Sequence, residues 1–158
     1  MKNTFKRSGA ALISLVLLLV LAVNAGAASS QNVGVKFWKE RSDKESMANS
    51  GIDPDRTATL TRQANGTYTL TLPVMQVSKL GVTGYLSGLT IGDVTYDGTL
   101  TGDFNKATAV LTIKNLPASV LTGSDVNKSV LVTCNIQMDL QVLGEINTSA
   151  RMCIWNQK

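Results

Sequence analysis

Between Arg56 and Val77 the chain reads Arg-Thr-Ala-Thr-Leu-Thr-Arg, then Gln-Ala-Asn-Gly, then Thr-Tyr-Thr-Leu-Thr-Leu-Pro-Val-Met-Gln-Val. Ala58 and Leu60 alternate with threonines, and so do Tyr68, Leu70 and Leu72. A period of two is the signature of half-buried strands, because successive side chains point to opposite faces. Asn65-Gly66 lies between the runs and supplies the positive φ angles of a tight, twist-compatible hairpin turn. A hairpin with one apolar face cannot stand alone in water. The rest of the chain must cover that face with a second sheet or by closing a barrel.

The remaining segments supply strands. Val33, Val35 and Phe37 alternate with Gly34 and Lys36, giving a first strand that ends at Trp38. From Lys39 to Ser50 the chain turns polar and too irregular for a core helix, so a turn or short 3₁₀ segment is expected, with Met47 its one large apolar residue. Asp53-Pro54-Asp55 marks a turn. Leu80 to Gly88 is apolar but punctuated by glycine, which reads as a bent or bulged strand. Val94–Thr101 and Ala107–Ile113 form a second hairpin, and Val130–Leu140 and Ala150–Trp155 form a last strand pair around Gly144–Thr148. The expectation is an all-β protein of seven to nine strands without a helix, a sandwich or small barrel.

The first 28 residues stand apart as a secretory signal peptide: Lys2, Lys6 and Arg7, an apolar run from Ala10 to Val23, and the small-residue site Ala25-Gly26-Ala27. Residues 29–158 then form one domain with one core. No cysteine stands at the cleavage site after the apolar run, and no later stretch approaches membrane length, so a soluble, released product without membrane insertion is expected. Removing the three leader cations from the 15 basic residues leaves 12 against 11 acidic ones. The near-neutral balance, with no basic stripe interleaved with aromatics, speaks against a nucleic-acid partner.

The chemistry that is missing is as informative. The chain contains no histidine. That removes the commonest general base, the Ser-His and Cys-His nucleophile pairs and most catalytic zinc sites, so an enzyme is not expected. Cys134 and Cys153 fit no Cys-x-x-Cys motif. Cys134 shares a strand face with Val130 and Val132, whereas Cys153 lies opposite Met152 and Ile154, so parity points the sulfurs apart unless a bulge or a buried Trp155 reverses one face. Asp93, Asp97 and Asp103 match no calcium loop, and Asn65, Asn127 and Asn147 fit the glycan acceptor pattern.

Phe37-Trp38-Lys39, the charged spacer, Ser46-Met47-Ala48-Asn49, Ile52, Ala58-Thr59-Leu60 and Asn65-Gly66-Thr67-Tyr68-Thr69-Leu70 together resemble the opening of a NEAT (near-iron transporter) domain, the module of bacterial secreted and cell-surface haem-uptake proteins. Gly84-Tyr85-Leu86 and the Met138 to Arg151 ending are similar to a divergent branch of that family. The resemblance implies an immunoglobulin-like antiparallel β-sandwich with a short 3₁₀ lip, starting at Ser46 and Met47, that covers one haem face. It implies that the hairpin of the last two strands presents an iron-ligating tyrosine to the other face. The segment from Val130 to Trp155 contains no tyrosine. Met138 or Met152 would then offer a thioether to iron, Tyr85 would line the slot, and Arg151 would meet a haem propionate. The function implied is haem binding, scavenging or relay, with haem or a haem protein as partner alongside other surface proteins. The alternative is a tyrosine-less module that binds a protein or glycan at the cell surface without haem.

Overall fold

The computed structural model describes residues 28–79, 81–139 and 144–158, so the leader except its last residue lies outside the described residues. Nine strands follow one another: β1 Ser29–Lys39, β2 Ala58–Arg62, β3 Tyr68–Pro73, β4 Val77–Lys79, β5 Val82–Ile91, β6 Val94–Thr101, β7 Val110–Leu116, β8 Val130–Met138 and β9 Glu145–Asn156. All pairings are antiparallel, in the order β4-β5-β6-β7-β3-β2-β1-β9-β8, and β8 pairs again with β5. The strand pattern leaves open a sandwich or a small barrel, and the pairing is that of the closed, barrel-like alternative. One sheet closes on itself through β5 and β8, and β4 is an extra strand on the outer edge of β5. Among the described residues the only helical pieces are short 3₁₀ turns.

The opening hairpin forms as its pattern requires: Leu60 pairs with Leu70 and Thr59 with Thr71, and both leucines are fully buried. Its loop is longer than a two-residue turn. Gln63 N–H donates to the Thr67 carbonyl and Gly66 N–H to the Gln63 carbonyl, leaving Ala64, Asn65 and Gly66 in the loop. Only Gly66 takes a positive φ, +83°, which is the three-residue hairpin with its left-handed glycine rather than the mirror-image turn. Asn65 contributes differently: its Oδ1 accepts from the Thr67 amide at 3.0 Å and hydroxyl at 2.7 Å.

The apolar rows of all strands meet inside the closed sheet. Phe37, Leu72, Leu89, Leu111, Met152 and Ile154 are among the fully buried side chains. Each fully buried large apolar side chain contributes on the order of 1.5–3 kcal/mol, which stabilises the closure. β5 serves two partners in turn. Its last residues, Gly88–Ile91, pair with Asp97–Val94 of β6, whereas Val82–Gly84 pair with β4. A register shift between Leu86 and Gly88 keeps Leu86 opposite Ile136 and Leu89 opposite Cys134, so both leucines stay inside. The extra residue thus preserves burial while β5 leaves β6, and the closed sheet opens at that end.

The two cysteines are free and buried. Cys134 faces the core, and Cys153 lies on the outer side, with its Sγ 3.6 Å from the Asp125 carbonyl oxygen. Parity in the sequence is met here. Burial pushes the Cys134 thiol up to about 12, which removes it from thiolate chemistry at neutral pH.

Candidate functional site

The open end of the sheet holds a cleft of about 420 Å³. Its walls continue the interior rows of three strands: Ile136 and Met138 of β8, Ile146 and Thr148 of β9, and Val82, Gly84 and Leu86 of β5. Val77 of β4 closes one side. Across from the β8–β9 hairpin stands a lip, a 3₁₀ turn over Met47–Gly51 capped by Ser46, whose hydroxyl accepts from the Ala48 amide at 3.3 Å. No side chain in the lining is charged; Ser46, Thr148 and Tyr85 are its polar members.

The lip exists because β1 outruns its neighbour. Pairing of β1 with β2 ends at Val33–Ala58, while pairing with β9 continues to Lys39–Ala150. That leaves one edge of Phe37 to Lys39 without a strand. Residues 44–49 fill the gap: Lys39 N–H donates to the Lys44 carbonyl at 2.8 Å, Ser46 N–H to the Phe37 carbonyl at 2.9 Å, and Phe37 N–H to Asn49 Oδ1 at 2.8 Å. Asn49 Nδ2 returns two bonds, to the Phe37 carbonyl at 2.7 Å and the Ser46 carbonyl at 3.1 Å. At its far end the lip is tied to the β3–β4 junction, where Met75 N–H donates to the Gly51 carbonyl and Asp53 N–H to the Pro73 carbonyl.

The residues singled out from the sequence separate into two groups. Ser46, Met47, Tyr85 and Met138 line the cleft together. Met47 is 57% exposed at the lip, and Met138 reaches in from the hairpin opposite Gly84. Tyr85 stands at the wall, its ring centroid 5.2 Å from that of Phe104. Met152 and Arg151 do not line the cleft. Met152 is fully buried in the core opposite Phe37, which makes it a packing residue. Arg151 points to the outer face and is occupied there: its guanidinium donates to the carbonyls of Lys39 and Ser42 and pairs with Asp43 at 2.7 Å. The arginine expected at a haem propionate is a clamp on the loop that leads to the lip.

Two residues gain roles that sequence reasoning did not give them. Asn49 stood in the Ser-Met-Ala-Asn motif without a function, although asparagine is the residue whose side chain offers both a donor and an acceptor like a peptide group. Gly84 makes room for Met138. A Cβ there would lie 2.8 Å from Met138 Sδ and 2.9 Å from the Gln137 carbonyl oxygen.

Comparison with solved structures places this architecture. The NEAT5 domain of IsdX2, a B. anthracis hemophore solved in complex with heme, aligns at a TM-score of 0.50 and 10% identity, covering 83% of this chain and 98% of that one. The mutant of the same domain, also in complex with heme, aligns at 0.53 and 11% identity with the same coverage. The chain thus has the fold of a NEAT domain, as the resemblance at its opening implied. The sequence matches no family model, and no curated protein is similar to it.

Proposed function

We propose that this chain is a divergent NEAT domain that holds haem between the Ser46–Gly51 lip and the β8–β9 hairpin. Exported by its leader, free or beside other surface proteins, it serves as a scavenger or relay for iron acquisition, a carrier and not a catalyst. The observation that carries this reading is an apolar cleft, with no charged lining, at the junction of lip and terminal hairpin. Two solved domains of the same fold are described in complex with heme, which supports it.

The residues present fit the group. Val77, Val82, Leu86, Ile136 and Ile146 offer apolar walls to a planar macrocycle, in a cleft within the range of about 300–1,000 Å³ common for small-molecule sites. The hairpin brings Ile136, Met138, Ile146 and Thr148 to the cleft, none of which forms a phenolate. Met138 on the hairpin and Met47 on the lip carry the thioethers of the lining, with Tyr85 at the wall. Haem, when bound, would supply an iron centre with ferric and ferrous forms. Met138 would hold that iron through its thioether, which would favour the ferrous form and raise the potential relative to a phenolate.

The test is a haem titration of the mature domain, read by visible absorbance in oxidised and reduced states, with Met138→Leu and Met152→Leu in parallel. The expected result is saturable, near-stoichiometric binding whose spectrum changes with Met138→Leu and not with Met152→Leu. Nonsaturating absorbance in the wild type would overturn the haem reading. The hairpin without a phenol would then favour the second reading, a module for a protein or glycan.

A further inference from the structure

We infer that Asn49 is the positioning residue of the cleft: its carboxamide stands in for a missing strand on the free edge of β1 and holds the lip at a fixed distance from the hairpin. The argument starts from a peptide-like exchange. An ordinary strand neighbour would give Phe37 one acceptor and one donor; Asn49 gives both through Oδ1 and Nδ2, at 2.8 Å and 2.7 Å, and shares the Phe37 carbonyl with the Ser46 N–H at 2.9 Å. Nδ2 also takes the Ser46 carbonyl at 3.1 Å, so the residue that caps the lip is bound to the residue that anchors it. Phe37 itself is fully buried and pairs with β9 on its other edge, so the anchor is part of the core.

The lip is therefore built in place before any ligand arrives, with Gly51 and Asp53 tied to the β3–β4 junction at the opposite end. Met47 rides on this fixed turn and faces the cleft. A lip that cannot swing slows ligand escape. Loss of the anchor thus shows in the dissociation rate, where most affinity differences within one site reside. This rests on the haem reading for its binding arm only.

The experiment compares wild type, Asn49→Ala, Asn49→Asp and the remote hairpin variant Asn65→Ala, using haem transfer to an excess apo-acceptor as the dissociation readout and amide hydrogen exchange at Phe37 as a ligand-free readout. Asn49→Ala is expected to raise the dissociation rate about tenfold or more and to speed Phe37 exchange by a similar factor. Asn65→Ala, which removes two hydrogen bonds from the hairpin loop, changes neither. Asn49→Asp sets a carboxylate against two carbonyl oxygens at neutral pH: it keeps the acceptor for the Phe37 N–H, loses both donated bonds, and raises the dissociation rate as Asn49→Ala does. Once protonated it regains a donor, so its dissociation rate relative to wild type falls toward one as pH drops to about 4. The ratio for Asn49→Ala stays flat over the same range. Equal effects from Asn49→Ala and Asn65→Ala, or an Asn49→Asp ratio that does not respond to pH, would overturn the proposal. If the wild type binds no haem, the reading of the cleft fails by itself, and unchanged Phe37 exchange in Asn49→Ala is then what sinks the anchor.

Discussion

Gly84→Ala is the perturbation that reports most directly on how the cleft is built. The new methyl carbon would sit 2.8 Å from Met138 Sδ, 2.9 Å from the Gln137 carbonyl oxygen and 3.3 Å from Ile136 Cγ2. The sulfur belongs to a flexible side chain and can swing away, at the expense of the cleft volume it enters. The carbonyl belongs to β8, which is paired on both sides, by β5 and β9, so it yields only if the strands separate by a few tenths of an ångström. Overpacking of this kind costs about 1–3 kcal/mol. For a domain of this size that corresponds to a fall in Tm of roughly 3–10 °C. Thermal unfolding of wild type, Gly84→Ala, Met138→Ala and the double variant separates the two clashes, because the double variant keeps the contact with the carbonyl and loses that with the sulfur. The two costs are expected to be less than additive: Gly84→Ala costs less when Met138 is already truncated. In haem-loaded protein Gly84→Ala is expected to alter the visible spectrum, since the thioether has moved. An unchanged Tm together with an unchanged spectrum would refute the claim that Gly84 is the seat of Met138.

Other consequences follow from the same geometry. Arg151→Ala removes an ion pair and two backbone hydrogen bonds from the 39–43 loop and is expected to lower stability by about 1–2 kcal/mol in chemical denaturation, discounted for the exposure of Asp43; haem affinity should hold, and a large loss of affinity at unchanged stability would return this arginine to the site. Gly66→Ala forces a side chain into φ +83° and should cost on the order of 1 kcal/mol in the same assay, with no change in the cleft. Cys134 titrates at about 12 when folded against 9.0 for the free group, so its contribution is complete below pH 9 and is lost as pH rises toward 12. Denaturation midpoints should therefore fall more steeply across that alkaline window in wild type than in Cys134→Ala. Neither cysteine should react with a bulky thiol reagent in the folded protein, since both are fully buried.

Much of the fold could be read from the sequence because its signals are local. The alternation around Leu60 and Leu70, the glycine punctuation of β5, and the opposite parity of Cys134 and Cys153 each require only a few neighbouring residues. Long-range pairing carries no such signature. That β8 would return to β5 and close one sheet, deciding between the sandwich and the small barrel, depends on residues 84–90 meeting 133–138 across about a third of the chain. β9 also starts at Glu145, five residues before its apolar core, because Glu145, Asn147 and Ser149 point outward and leave a polar run that reads as loop. At the candidate site, Ser46, Met47 and Met138, which the resemblance singles out, lie in the cleft lining. Met152 and Arg151 were not separable from it by pattern: an apolar residue on an inward row is a wall or a packing residue according to how far along the strand the sheet stays closed. Asn49 and Gly84 act through backbone groups of distant strands, which no local pattern records.

The inward row of β8 passes from Val132 and Cys134, both buried, to Ile136 and Met138 without a polar layer between core and cleft. The floor of the cleft is thus the end of the hydrophobic interior, and an apolar guest completes the interior as a keystone completes an arch. Occupancy and folding share one free-energy balance: a guest at a hundred times its Kd adds about 2.7 kcal/mol to the unfolding free energy. Under the proposed function, melting temperature gauges the occupancy of the cleft, and the empty form is the less stable one.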